Sequence, residues 1–318
     1  MIHLICPNPA LDRTLLFHNF AKSTPNRPYE LKEFVGGKSF NVAYALNFEK
    51  PAVDFVVHTI LGGHNGEHLK SLAIEKQIPL LALEISENTR VCNILVDTDK
   101  QDVYPIYENS FLLHQTLLDD FTSSLEANIK EGDTVVFSGS LMKGMPDDYI
   151  YRFQEKFLNR SIKLFVDTSG NALKEAYKGK PYVIKINDEE ILDLFPDAKF
   201  SQLTDYIHLL QSTLVAEIPY FIITLGAKGI LAKMKEAIYF LSLDQIDAKN
   251  PIASGDFFLG GLVKFLSLGE DPLTVLKKAI SYSTANVLNW YPELQTEQIQ
   301  HFYDTVKVEK FNVPERGL

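Results

Sequence analysis

The chain has 318 residues, 46% hydrophobic and 23% charged, the profile of a globular protein rather than a disordered or fibrous one. A formal net charge of -10 excludes a general nucleic-acid footprint, so any anionic ligand must be held by a few local cations. Cys6 and Cys92 lack CxxC or paired-ligand spacing, which excludes a disulfide framework and a zinc site, and no apolar run reaches the roughly 18 residues of a membrane span.

MIHLICPNPALD has neither a basic leader nor a long apolar stretch, so it reads as a short buried strand in a reduced, cytoplasmic protein with no membrane partner. NPALD (8–12) follows that strand, at the end where open α/β sheets bind ligands. Asp12 there suits sugar hydroxyls, although Asn-Pro and Asp are also ordinary turn residues. FVGGKSFNVAYAL (34–46) then leads into a helix at about 40–49. A Walker A loop would need glycine where Lys32 stands, so a triphosphate-wrapping loop is excluded. Gly36 and Gly37 permit close backbone approach, Lys38 supplies a point charge, and Asn41 faces the same way one turn on. Taken alone, a strand-to-helix turn with a solvated lysine accounts for these residues slightly better.

VDFVVHTI (53–60) reads as a strand and 65–76 as a helix. NTRVCNI (88–94) opens a further strand, with Arg90 suited to a bidentate phosphate grip or simply to a solvated edge. Alternation sends Arg90 and Asn93 to opposite faces unless a bulge intervenes. Helix 115–130, strand DTVVFSG (133–139), helix 147–159 and strand IKLFVDTSG (162–170) follow. Strand PYVIKIN (181–187) ends on Lys185 and Asn187, and a short helix (189–194) carries Glu190 three residues on. An amide and a carboxylate so placed suit waters around Mg²⁺, or an N-cap with acids complementing the helix dipole. Helix 202–216 precedes strand PYFIITLG (219–226), where TLGAKG (224–229) places glycines at 226 and 229. G-x-G-x-x-G occurs nowhere, which counts against a dinucleotide oxidoreductase. NPIASGDFF (250–258) opens a helix at 255–268, offering free N–H groups from Ala253 to Asp256 to an anion. Asp256 is placed as a base beside developing charge, or as a cap. A last helix, 272–289, has Asp271 at its N-cap and Pro272 at N1.

This β-α alternation, with mostly apolar strands, predicts a doubly wound sheet covered on both faces. Residues 11–37 and 84–110 break the pattern with charge, proline and alternating pieces. The expected organisation is a single domain, 1–318, carrying a small β lid made from those two insertions.

Each motif is ambiguous alone, but NPALD, GGK-x-x-NVA, LGG-x-x-G, TR-x-x-NI, SGSL, K-x-N-x-x-E, T-LGA-x-G and a final small-x-GD occur in one order along the whole chain. In that order they resemble the PfkB (ribokinase-like) carbohydrate kinases, most of all the branch with 1-phosphofructokinase and tagatose-6-phosphate kinase. The resemblance implies an α/β fold, three-layer α/β/α and ribokinase-like, with a β lid often used to form a homodimer, and ATP as donor with Mg²⁺. It implies that Asp256 is the catalytic base and that the backbone of Ala253, Ser254 and Gly255 is the anion hole. Asn187 and Glu190 match the NxxE motif that influences Mg²⁺ and phosphate. Lys185, Thr224, Gly226 and Gly229 match positions around the nucleotide phosphates. Asp12, Gly37, Lys38, Asn41, Arg90, Asn93 and Ser138 match the sugar-phosphate side.

The chain departs from the family pattern at Ala253-Ser254, Phe257, Ser39, Met142, Ile186 and ENSF (108–111). If Ala253 has a positive φ it costs roughly 1 kcal/mol; at negative φ it is harmless. The implied activity is phosphorylation of fructose 1-phosphate, with tagatose 6-phosphate as second substrate. The rival reading is a catalytically weakened member that binds ligand only.

Overall fold

The structure, a computed structural model, describes residues 1–313. Its first half comprises strands β1 (Ile2–Cys6), β2 (Ala10–Phe17), β3 (Glu30–Gly36), β4 (Phe55–Gly62), β5 (Leu80–Ile85), β6 (Val91–Asp97), β7 (Asp102–Tyr107) and β8 (Thr134–Ser138). Strands β9 (Lys163–Asp167), β10 (Val183–Asn187), β11 (Tyr220–Thr224), β12 (Ile230–Met234), β13 (Ala237–Ser242) and β14 (Lys307–Asn312) follow. The helices are α1 (Lys38–Asn47), α2 (Gly63–Glu75), α3 (Gln115–Asn128), α4 (Tyr149–Lys156) and α5 (Gly170–Lys178). After them come α6 (Ile191–Leu194), α7 (Leu203–Gln211), α8 (Ser254–Ser267), α9 (Pro272–Val287) and α10 (Thr296–Thr305).

A ten-stranded sheet runs β14-β13-β12-β11-β10-β9-β8-β1-β4-β5. From β11 to β5 its neighbours are parallel, and β12, β13 and β14 are antiparallel. Strand β1, buried at all five positions, pairs with β4 on one side and β8 on the other, so the winding reverses there. Open α/β sheets bind ligands at the carboxyl ends of the strands beside such a reversal. Two apolar cores fill the two faces. One joins α1, α2, α8, α9 and α10 to the sheet, and the other joins α3 to α7.

The expected lid is a separate four-stranded sheet, β3-β2-β6-β7. Its outer two pairings are antiparallel, and β2 pairs with β6 in parallel. Residues 84 and 85 belong instead to β5, the edge of the central sheet, so the second insertion begins after them. Strands β12 to β14 and helices α5 and α10 had no counterpart in the sequence reading. KVEKFN at β14 is too charged and too exposed to show an apolar run.

Helix α9 starts as its sequence dictates: Asp271 Oδ1 accepts from the N–H groups of Leu273 and Thr274, both at 3.1 Å, and Pro272 fills N1. Helix α8 is buried almost all round, between α1 and α9. Glycine lets it sit there. A Cβ on Gly260 would lie 2.4 Å from Ala45 Cβ of α1, and one on Gly261 would lie 2.9 Å from Ala279 Cα of α9. Among the described residues no helix is long and apolar enough to cross a membrane.

Because even one methyl would force α1 and α8 apart, Gly260→Ala is expected to lower stability by about 1–3 kcal/mol. Urea denaturation checks this: the midpoint should fall with an unchanged slope.

Candidate active site

The carboxyl ends of β1, β8, β10 and β11, the lid and the start of α8 enclose one cavity of about 1260 Å³. All the site residues expected from the sequence line it except Asn93. Asn93 is the correction. Its strand neighbours Cys92 and Ile94 face the cavity, and no bulge intervenes, so period-two alternation turns Asn93 to the lid's outer face.

Helix α8 begins at Ser254, and its N-cap residue, Ala253, has φ 67° and ψ -2°. Helix α8 therefore opens with a left-handed alanine, the costly alternative for this departure from glycine. Asp256 lies in the first turn, 6% exposed, and its Oδ2 accepts a 2.9 Å hydrogen bond from Asn41 Nδ2 of α1. Burial pushes its carboxyl up to about 6, with Lys38 the chief opposing charge. Asn41, expected on the sugar side, thus serves the aspartate directly.

The sequence reading passed over Asp167, at the end of β9. Its Oδ2 accepts from Lys185 Nζ at 3.1 Å, and Lys38 Nζ lies 3.6 Å from Oδ1. That second distance is an ion pair without a hydrogen bond, so the buried Oδ1 has no hydrogen-bonding partner. Asp167 is the main cause of a raised Lys38 pKa. The Lys185 ammonium also lies where a Cβ on Gly255 would approach it to 2.9 Å, which puts its charge against the start of α8. DTSG reads as a strand end in sequence; only the fold shows that its aspartate meets both lysines.

Asn187 and Glu190 form a reciprocal turn. Asn187 Oδ1 accepts from Glu189 N and Glu190 N at 2.9 and 2.7 Å, and Glu190 Oε2 accepts from Asn187 N at 2.9 Å. The cap alternative is therefore real, yet both side chains still line the cavity. Burial raises the Glu190 carboxyl pKa, and Lys38 and Lys185 oppose the shift. Among the described residues no three His, Cys, Asp or Glu side chains form a metal cage. Glu190 and Asn187, which line the cavity, nevertheless suit a largely hydrated Mg²⁺ held through water.

On the lid side, Asp12 projects from β2, and Gly36 makes room for it: a Cβ there would lie 2.1 Å from Asp12 Cγ. Burial pushes Asp12 up to about 7, with Arg90 and then a Cys92 hydrogen bond opposing. Arg90 donates to the backbone carbonyls of Asn8, Pro9 and Glu108, each at 3.3 Å, which ties the root of the lid to the end of β1. Ser138 Oγ is buried without a partner beside the cavity, so a ligand hydroxyl or phosphate oxygen would satisfy it.

Gly37 takes φ 112°, which β-branched or bulky residues avoid. Gly229 answers to packing rather than to a ligand, since a Cβ would lie 2.0 Å from the Leu241 carbonyl oxygen, whereas Gly226 faces open space. Three other departures are structural. Ser39 Oγ donates to Ile5 O at 2.8 Å, and Phe257 and Met142 are core side chains.

An aspartate at a helix N-terminus, with two lysines beside it, in the crevice of a doubly wound sheet under a β lid, is an arrangement for phosphoryl transfer. The chain matches the model of the pfkB family carbohydrate kinases over residues 8–293 and belongs to that family, so it is a sugar kinase. Its fold is that of phosphofructokinase-2 from Escherichia coli, solved with substrates and products, at TM-score 0.88 and 20% identity over 95% of this chain and 98% of that one. It is equally that of a possible 1-phosphofructokinase from Thermotoga maritima, at TM-score 0.85 and 20% identity over 98% and 100% of the two chains.

Two stability predictions follow from the geometry. Ala253→Gly relieves a left-handed alanine worth about 1–2 kcal/mol but gives the unfolded chain about 0.4–1 kcal/mol of entropy, so a net gain below about 1 kcal/mol is expected in thermal melts. Asp256 titrates higher folded than its ordinary 3.8, so its fold binds the proton more tightly, and stability is lost as pH rises through about 6. Asp256→Asn should therefore melt higher than wild type at pH 8, with the difference vanishing near pH 4.

Proposed function

We propose that this chain uses ATP to phosphorylate a ketohexose phosphate to a bisphosphate, with fructose 1-phosphate its first substrate and tagatose 6-phosphate its second. The supporting observation is the cation arrangement. In a chain of net charge -10, Lys38, Arg90, Lys185 and Lys228 line the cavity that Asp256 also lines, set among the carboxylates of Asp12, Asp188, Glu189, Glu190 and Asp244. A sugar phosphate would give Lys38 and Arg90 an anionic partner there, which an unphosphorylated sugar would not.

In this reading Asp256 takes the proton of the acceptor hydroxyl, held by the Asn41 amide. Ser254 N and Asp256 N already donate to the Pro251 and Ala253 carbonyls, at 3.3 and 2.9 Å, so the Gly255 N–H, with Lys185 against it, receives the charge of the transferring phosphoryl group. In the same reading Thr224 and Gly226 border the nucleotide side, and Lys38, Arg90 and Ser138 the sugar-phosphate side, all of them cavity-lining. Bound Mg²⁺ would supply neutralisation of phosphate charge, held through water by Asn187 and Glu190. The lid contributes Asp12, Cys92, Ile94 and Tyr107 to the cavity and keeps water from the reacting groups.

The reading extends to a homodimer through the lid, in the cytoplasm. The lid's outer face carries the cross-strand row Leu15, Leu31 and Leu95, together with Ile106, and Leu31 and Ile106 are exposed at 49% and 53%. Free Cys6 and Cys92 suit a reducing compartment.

A sugar-phosphate panel with ATP, following ADP release, tests the substrate. Fructose 1-phosphate should give the highest kcat/KM, and activity confined to unphosphorylated sugars would sink the reading. Asp256→Asn should lower kcat by about 10²–10⁴. Arg90→Ala should raise KM for the sugar phosphate at least tenfold while KM for ATP stays within about twofold. Light scattering should give a dimer for the wild type and a monomer for Leu31→Asp/Ile106→Asp; a monomeric wild type would remove the interface.

A further inference from the structure

The chain that enters the anion hole is held by a side chain with no part in the chemistry. Asn250 is buried at 6% exposure. Its Nδ2 donates to the Trp290 carbonyl at 3.1 Å, and its Oδ1 accepts from Ile252 N at 3.0 Å. The backbone beside it is tied down as well: Lys249 N and Asn250 N both donate to the Val287 carbonyl at the end of α9, at 2.8 and 3.1 Å. One residue beyond Ile252 stands Ala253, with its φ of 67°. A left-handed alanine persists only where the surroundings over-determine it. The Asn250 amide is the side chain that bridges the two segments doing so.

The other end of this bridge reaches the lid. Tyr291 follows Trp290, and its ring packs against Phe34 of β3, with centroids 5.6 Å apart. Lys32 Nζ, two residues back on the same face of β3, sits 3.9 Å from the Tyr291 ring centroid. Leu16, Ile94 and Val96 complete this cluster, with Val103, Ile252 and Trp290 packed at its margin. Lid strands, the segment after α9 and the residue before the anion hole thus share one apolar contact.

We propose that Asn250 is a positioning residue: its side-chain amide couples the lid, through Tyr291 and Trp290, to the anion-hole backbone at Ala253–Asp256. This rests on the kinase reading of the site. The lid closing on a sugar phosphate shifts Tyr291, and Asn250 carries the shift to the N–H groups that meet the phosphoryl group. Sugar occupancy then sets the hole, which restrains turnover when the acceptor is missing.

Trp290 is the chain's single tryptophan, so its emission reports on this junction without labelling. Three measurements decide. Wild-type turnover of ATP with fructose 1-phosphate comes first; absence of turnover with every sugar phosphate would be a failure of the kinase reading, not of the coupling. In active wild type, fructose 1-phosphate alone should shift Trp290 emission, and an unmoved spectrum at saturating sugar overturns the coupling even if no variant folds. Asn250→Ala should lower kcat ten- to hundredfold with both KM values within about threefold, and it should flatten the emission response. Asn250→Asp, which keeps the acceptor for Ile252 N but loses the donor to Trp290, should fall between. Asn250→Ala with wild-type kcat, or with a loss confined to KM, overturns the assignment.

Discussion

Helix α8 can lie against α1 only because position 260 has no side chain to hold them apart. From that contact the site follows. The N-terminus of α1 carries Lys38 and Asn41, the N-terminus of α8 carries Asp256, and both point into the crevice beside β1. The Asn41–Asp256 hydrogen bond closes the gap between residues 215 apart in sequence. Two helix N-termini aimed at one point supply a positive field without spending charged residues. A chain this acidic needs that economy.

The site is also where the fold gives up stability. Asp256 and Asp12 are both pushed well above the ordinary carboxylate range by burial, so ionising them works against folding. Asp167 holds Lys38 and Lys185 around one carboxylate, and its second oxygen lacks a hydrogen bond. Ala253 adds backbone strain at the mouth of the hole. Buried carboxylates pushed up by desolvation, an orphaned carboxylate oxygen and a left-handed alanine in one crevice are what a site kept for chemistry looks like.

Much of this was legible in the sequence because it depends on local rules. The apolar strands, the Asp271-Pro272 start of α9 and the glycine-lysine turn into α1 each carry their own signal. The lid showed itself as two stretches that broke the β-α rhythm. What stayed hidden was long-range. Asp167 reads as the end of a strand, and nothing local says that lysines from α1 and β10 converge on it. Asn41 looked like a sugar ligand until the packing of α1 on α8 put it against Asp256. Asn93 shows the opposite lesson: strand alternation had already turned it away, and only the family match placed it in the site. The sign of φ at Ala253 depends on how the segment from Asn250 is tied to the end of α9, which no spacing rule reports.

The central claim is that Asp256 and the α8 N-terminus move a phosphoryl group from ATP to a sugar-phosphate hydroxyl. Phosphorus NMR of the purified protein with Mg²⁺, ATP and fructose 1-phosphate tests it most directly. Two sugar phosphate resonances should grow in step with ADP, the spectrum of a bisphosphate. ADP appearing with inorganic phosphate alone, or no change in the fructose 1-phosphate resonance, would contradict it.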